Sequence, residues 1–230
     1  MPINISLNTM GRIVTPTAQF PFTKGLMPQE EMLELGKKSR KLVIGIPKEC
    51  NPSESRIPLT PEAVEMLVAQ GHEIIIEKDA GKKTHYSDQD YSERGGFIVQ
   101  TPQEVYKSEI ILKVSPLLLS EIELLSENQT VVSSLHLNST AGQYLRNLMQ
   151  KRVTAIAFES IRDDDGALPI VRAMSSIAGN TSVLVAAEYL SNVNGGKGVM
   201  LGGISGITPT EVVILGAGTA GEFAARAALG

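Results

Sequence analysis

An α/β fold, built as a doubly wound parallel sheet and followed by the first unit of a second α/β domain, is what the sequence predicts. Three observations predict it. Short β-branched runs recur from Leu42 onward, each run is apolar throughout rather than alternating, and amphipathic helical segments lie between them. Strands that are apolar on both faces belong to a parallel sheet covered by helices on both sides, joined by right-handed crossovers. The reading divides the chain into an arm over residues 1–41, a first lobe over 42–170 and an incomplete second unit over 171–230.

The arm carries two Pro-bearing stretches, one short helical candidate at 29–35 and a basic cluster, Lys37-Lys38-Ser39-Arg40-Lys41, suited to a solvated face. Strands are expected at 42–46, 73–77, 97–99, 110–114, 131–135 and 155–158. Between the first two, Thr60-Pro61-Glu62 has the chemistry of a helix start: an N-cap hydroxyl, proline at the first helical position and an acid in the first turn. Val64, Leu67 and Val68 then fall on one face, and Gly71 stops the helix. Residues 138–152 repeat the pattern, with Ala141, Leu145, Leu148 and Met149 on one side.

After Asp163-Asp164-Asp165-Gly166 the pattern changes. Residues 174–193 read as a long helix with an apolar middle, and 194–206 hold six glycines in thirteen residues, a composition that serves a connector or a hinge equally. Residues 211–215 read as a strand and 222–229 as a helix.

Composition excludes several classes of function. With 21 Lys+Arg against 25 Asp+Glu, a formal net charge of −4, and 4% aromatic residues, the chain lacks the basic excess that phosphate backbones require. No apolar stretch is expected to reach the roughly 18–20 residues of a membrane span, and the opening MPINISLNTMGR lacks a secretory pattern. One cysteine, Cys50, forbids an intramolecular disulfide framework and a multi-cysteine zinc site, and no metal site is expected. A cytoplasmic, soluble protein is the expectation.

Gly216-Ala217-Gly218-Thr219-Ala220-Gly221 has G-x-G-x-x-G spacing, directly after VVIL and before an alanine-rich segment. In that context the first glycine permits the turn, the second lets a pyrophosphate reach the backbone and the third lets helix and strand pack closely. Phosphates would then sit on the helix N-terminus. The acid that would hold the ribose, about 20 residues further on, lies past Gly230, so the chain is expected to be part of a longer protein and to be inactive alone.

Several blocks in order resemble the alanine dehydrogenases, a group that also includes the transhydrogenase nucleotide-binding subunit. They are IGIPKE (44–49), SRIPLTPEAV (55–64), ILKV (111–114), LHL (135–137), DGALPIVRAMSSIAG (165–179) and VVILGAGTAG (212–221). The resemblance implies two α/β lobes with a cleft between them, reversible oxidative deamination of L-alanine to pyruvate and ammonia, NAD as cofactor and a homo-oligomer, a hexamer in the family. By the match to RIPLTP, ILKV and LHL it implies that Arg56 grips the substrate carboxylate, that Lys113 holds the carboxylate and polarises the carbonyl, and that His136 is the acid–base group. Such roles suit a bidentate guanidinium, a strand-end ammonium and an imidazole titrating near neutrality. Taken without the resemblance, each reads more readily as an ion-pair or structural residue. Met174 and Ser175 match a Met-Ser pair that faces the cofactor, although Met174 also suits core packing. Gly216, Gly218, Thr219, Ala220 and Gly221 would hold the dinucleotide, and the family's catalytic aspartate falls beyond the chain. Glu159 lies in the matching FES block without an assigned role; His72 and His85 read as structural.

One departure stands out. SPLLL follows ILKV where many relatives carry a charged K-E-P, which removes any charge that loop would lend the cleft. Three alternatives compete: the transhydrogenase subunit, which has no amine to deprotonate; a lysine-forming saccharopine dehydrogenase, which needs a wider cleft; and a nucleotide-binding module without catalysis, which the retained Arg56, Lys113 and His136 argue against.

Overall fold

The computed structural model describes residues 40–136 and 142–229. Six strands form one wholly parallel sheet: β1 (Val43–Ile46), β2 (Glu73–Glu77), β3 (Phe97–Val99), β4 (Ile110–Leu112), β5 (Thr130–Ser133) and β6 (Thr154–Ala157), in the order β3-β2-β1-β4-β5-β6. The register runs through Phe97, Ile75, Gly45, Ile111, Val131 and Ala155, one residue from each strand. Seven α-helices are described: α1 (Pro61–Ala69), α2 (Asp88–Glu93), α3 (Pro102–Val105), α4 (Leu119–Leu124), α5 (Gly142–Gln150), α6 (Pro169–Leu190) and α7 (Thr219–Leu229).

Because side chains alternate across a strand, the sheet divides its apolar residues between two faces. Ile44, Ile46, Ile74 and Ile76 meet Val64 of α1 and Tyr91 of α2 on one face. Ile111 and Val131 meet Tyr106, Ile122 of α4, and Tyr144 and Leu148 of α5 on the other. Helix α1 starts as its sequence demands, with Thr60 Oγ1 accepting from the Ala63 N–H and proline in the first turn. On α5, Tyr144 rather than Met149 completes the buried face; Met149 is 75% exposed.

Strand ends differ from expectation for identifiable reasons. Strand β4 stops at Leu112 because the Val114 N–H, instead of extending the ladder, donates to Glu49 Oε1 at 2.6 Å. Past Ser133, the Ser134 N–H still donates to the Val114 carbonyl at 3.2 Å, and the next two N–H groups, of Leu135 and His136, turn to the Glu159 carboxylate on the exit of β6. Strand β6 ends at Ala157 and passes into a 3₁₀ turn, Phe158–Ser160. Residues 211–215, expected as a strand, form none: they find no neighbouring strand among the described residues, and a strand exists only through its ladder. Residues 29–35, 138–141 and Leu137 lie outside the described residues.

Helix α6 begins at Pro169, not 174, and ends at Leu190, so the expected boundary at 170/171 falls in its first turn. It corrects another expectation: over its 22 residues it is long and apolar enough, by length and composition, to cross a membrane. Single apolar residues interleaved with Ser175, Ser176, Asn180, Thr181 and Ser182 hid this from a search for an unbroken run. Helix α7 packs on α6, where a Cβ at Gly179 would lie 2.3 Å from the Ala220 carbonyl. Residues 42–230 belong to one compact unit.

Candidate active site

In an open parallel sheet, the crevice for a ligand lies beyond the carboxyl ends of the strands. Arg56 follows β1, His136 follows β5 and Glu159 follows β6, and all three line one cavity of about 640 Å³. Ser134 and Phe158 line it from the same strand ends, and α6 closes it with Val171, Met174, Ser175 and Ile177. Four expected site residues are thus brought together: Arg56, His136, Met174 and Ser175.

Arg56 is held from behind. Its Nε and Nη2 donate to the two carboxylate oxygens of Glu54 at 2.8 and 2.7 Å, leaving Nη1 directed toward Met174, 3.9 Å from the sulfur. The Arg56 guanidinium beside it, acting against burial, draws the Glu54 carboxyl down to about 2, and the pairing raises Arg56 in turn. The fork edge nearest Glu54 is therefore occupied, which leaves the Nη1 side facing Met174 and the cavity. The loop is further pinned by Lys83 Nζ, which donates to the carbonyls of Asn51 and Glu54 at 2.9 and 2.8 Å.

Lys113 departs from its expected place. It is not among the residues lining the cavity. Its side chain is 1% exposed, its Nζ donates to both oxygens of Glu121 at 2.8 and 2.7 Å, and Glu49 Oε2 stands 3.8 Å away. Burial pushes the Glu49 carboxyl up, with donations from the Val114 and Ser115 N–H groups and the charge of Lys113 opposing. The cause is local: a lysine inside an apolar strand end cannot keep its charge buried without a carboxylate, and α4 supplies one. Ser115, in the loop that departs from the K-E-P pattern, comes nearer the cleft, with its Oγ 3.4 Å from Glu54 Oε2.

His136 sits in a left-handed backbone conformation, φ +46°. Its Nε2 lies 3.4 Å from Ser134 Oγ, a contact between two cavity-lining side chains. The N–H groups of Leu135 and His136 both donate to Glu159 Oε1, at 2.9 and 2.8 Å. Burial opposes a charge on Glu159, yet its own N–H, those of His136 and Leu135 and the His136 charge together hold the carboxyl below its ordinary range. Glu159, Glu54 and Ser134 are site residues whose parts sequence reasoning did not assign; only Glu159 had a signal, its place in the FES block. His72 accepts from the Leu42 N–H through Nδ1, a structural contact.

The glycine turn keeps part of its expected geometry. Gly216 has φ +118°, and a Cβ at Gly221 would meet the Gly216 carbonyl oxygen at 2.1 Å, so the turn and the start of α7 require both glycines. Space is open around Gly218. This open turn against a helix N-terminus fits a dinucleotide's phosphates, with Gly216, Gly218, Thr219, Ala220 and Gly221 as the residues that would hold them.

Residues 45–178 match the alanine dehydrogenase/PNT N-terminal domain and 182–230 the corresponding C-terminal domain. Among curated relatives, the chain is 42% identical over 190 residues to an alanine dehydrogenase of Methanococcus maripaludis, and 39% identical over 189 residues to one of Staphylococcus saprophyticus; each alignment covers 82% of this chain and 51% of the relative. The chain spans about half the length of the curated relatives it matches. A solved L-alanine dehydrogenase superposes with TM-score 0.78 at 38% identity, covering 82% of this chain and 52% of that one. A transhydrogenase from Sinorhizobium meliloti superposes with TM-score 0.73 at 21% identity, covering 81% and 55%, a likeness of fold.

Proposed function

The chain belongs to the alanine dehydrogenase/PNT family, and from that premise we propose that its protein carries out the NAD-dependent, reversible oxidative deamination of L-alanine to pyruvate and ammonia. One observation carries the reading: a guanidinium and an imidazole from separate strand ends enter a single cavity under the Met174–Ser175 face of α6. Arg56 binds the substrate carboxylate through its outward Nη1 side, while Glu54 keeps the guanidinium plane fixed. His136 takes the proton from the amine in the forward direction and returns it in reverse, its ring turned by Ser134 Oγ. Val171, Met174 and Ile177 give one wall an apolar lining.

The dinucleotide would rest its phosphates on the turn from Gly216 to Gly221 and its nicotinamide end toward Met174 and Ser175. When bound, NAD supplies the acceptor for the hydride on the substrate's α-carbon. Lys113 serves this site from outside the cavity, by tying the end of β4 to α4. The same reading makes the protein a cytoplasmic homo-oligomer, a hexamer as in the family, with a small-molecule substrate.

The test is an absorbance assay of the full-length protein with alanine and NAD, beside one with paired nucleotides and no alanine. Alanine-dependent NADH formation is expected, and His136→Gln should reduce it about 10²–10⁴-fold, the usual worth of a positioned acid–base group. Hydride exchange between nucleotides without alanine turnover would favour a transhydrogenase instead. An unchanged rate and pH profile in His136→Gln would remove that residue from the mechanism.

A further inference from the structure

Building on that reading of the reaction, we propose that Glu159 is a positioning residue for His136: its carboxylate holds the two peptides that lead into His136 and so presents the imidazole to the cavity. Two consecutive N–H groups, those of Leu135 and His136, converge on Glu159 Oε1. Consecutive peptides in an extended strand point their N–H groups to opposite sides, so a shared acceptor demands a turn at Leu135, the residue whose φ and ψ relate the two groups. His136 follows that turn at φ +46°, on the peptide whose N–H Glu159 holds. For a residue bearing Cβ that conformation is unfavourable and persists only where neighbouring structure imposes it.

Sheet register delivers the carboxylate. Ser133 pairs with Ala157, so the exits of β5 and β6 lie side by side, and the 3₁₀ turn sets Glu159 opposite the peptides that leave β5. The second oxygen, Oε2, is buried and has no hydrogen-bond partner among the described residues. A helix cap or a loop brace needs no such half-satisfied carboxylate, and retaining one points to a duty at the site. Within the cavity the titratable or charged neighbours are His136 beside it and Arg56 from the exit of β1, while α6 presents no ionisable group among the lining residues.

The experiment compares Glu159→Ala and Glu159→Gln in the full-length protein. Glu159→Ala should lower alanine turnover about 10²-fold, the scale of a small misplacement of a catalytic group, with NAD affinity unchanged. Glu159→Gln retains an acceptor oxygen and should recover most of the rate. In a His136→Gln background, Glu159→Ala should cost nothing further, because a residue acting through His136 has nothing left to position. In nitrogen-15 spectra at pH 7, the Leu135 and His136 amides should shift and exchange faster in Glu159→Ala, with Val131 and Val132 still protected. A second, additive loss in the double variant, or amides that do not move, overturns the proposal. If the wild type turns over no alanine, the reaction reading fails, and the amide spectra alone decide whether Glu159 sets the His136 backbone.

Discussion

At the residue scale, the site is governed by carboxylates that face backbone or cation rather than solvent. Glu54 illustrates the energetic consequence. Its folded value of about 2 lies below the ordinary 4.5, so the unfolded chain binds more protons as pH falls. The stability this pairing contributes is complete above about pH 4.5 and is lost as pH drops toward 2. Glu49 works in the opposite sense, since burial raises its value. Comparison of variants separates the two. Urea midpoints at pH 5 and pH 3 should fall further apart in the wild type than in Glu54→Gln, and equal differences would show that the Arg56 pair is unimportant for stability. Arg56 and His136 were legible as site residues because polar groups just past apolar runs lie where a parallel sheet opens. The grip of Glu54 on Arg56 and of Glu159 on two peptides was not legible. Those partners are chosen by side-chain direction and by contacts across 23 and 24 positions, which no local pattern encodes.

At the element scale, the strands were readable as unbroken apolar runs, which burial on both faces requires of the inner ones, and all six of the first lobe formed where such runs occur, the edge strand β6 while staying largely exposed. Their ends were less readable, since a ladder stops where another acceptor takes its next N–H, as Glu49 does at Val114. Lys113 shows the same limit. Its position at the end of β4 was evident, but its direction depends on Glu121 of α4, which also accepts the Leu118 N–H at 2.6 Å and so fixes the helix start. Removing the cation alone would leave Glu121 buried and uncompensated. Lys113→Met should therefore cost about 3–5 kcal/mol, and Lys113→Met with Glu121→Leu should restore much of it. Urea denaturation measures both. A single variant as stable as the wild type would mean that the pair is not buried as described.

At the scale of the whole molecule, order is unequal. The sheet is laddered throughout, whereas residues 211–215 make no strand and expose Val213 at 76% and Leu215 at 95%. Free energies of local opening follow such differences. Hydrogen exchange followed by mass spectrometry should find slow peptides over β1, β4 and β5, and fast ones over 195–218; slow exchange at 211–215 would indicate a partner strand in solution.

The strand order also bears on how the chain finds its fold. No two strands of this sheet are joined as a hairpin, and the central pairings set Ile44 against Ile74 and Ile110. Every ladder must therefore close a long loop before it gains a single bond, which places the lobe among slow-folding topologies. Arg56 and His136 arrive on two different crossovers, and Glu159 arrives on the exit of the edge strand β6. During synthesis, then, the cavity has no early, local precursor: it comes into being only once the edge strand β6 has docked and α6 has folded over the strand ends, so its formation waits on completion of the sheet.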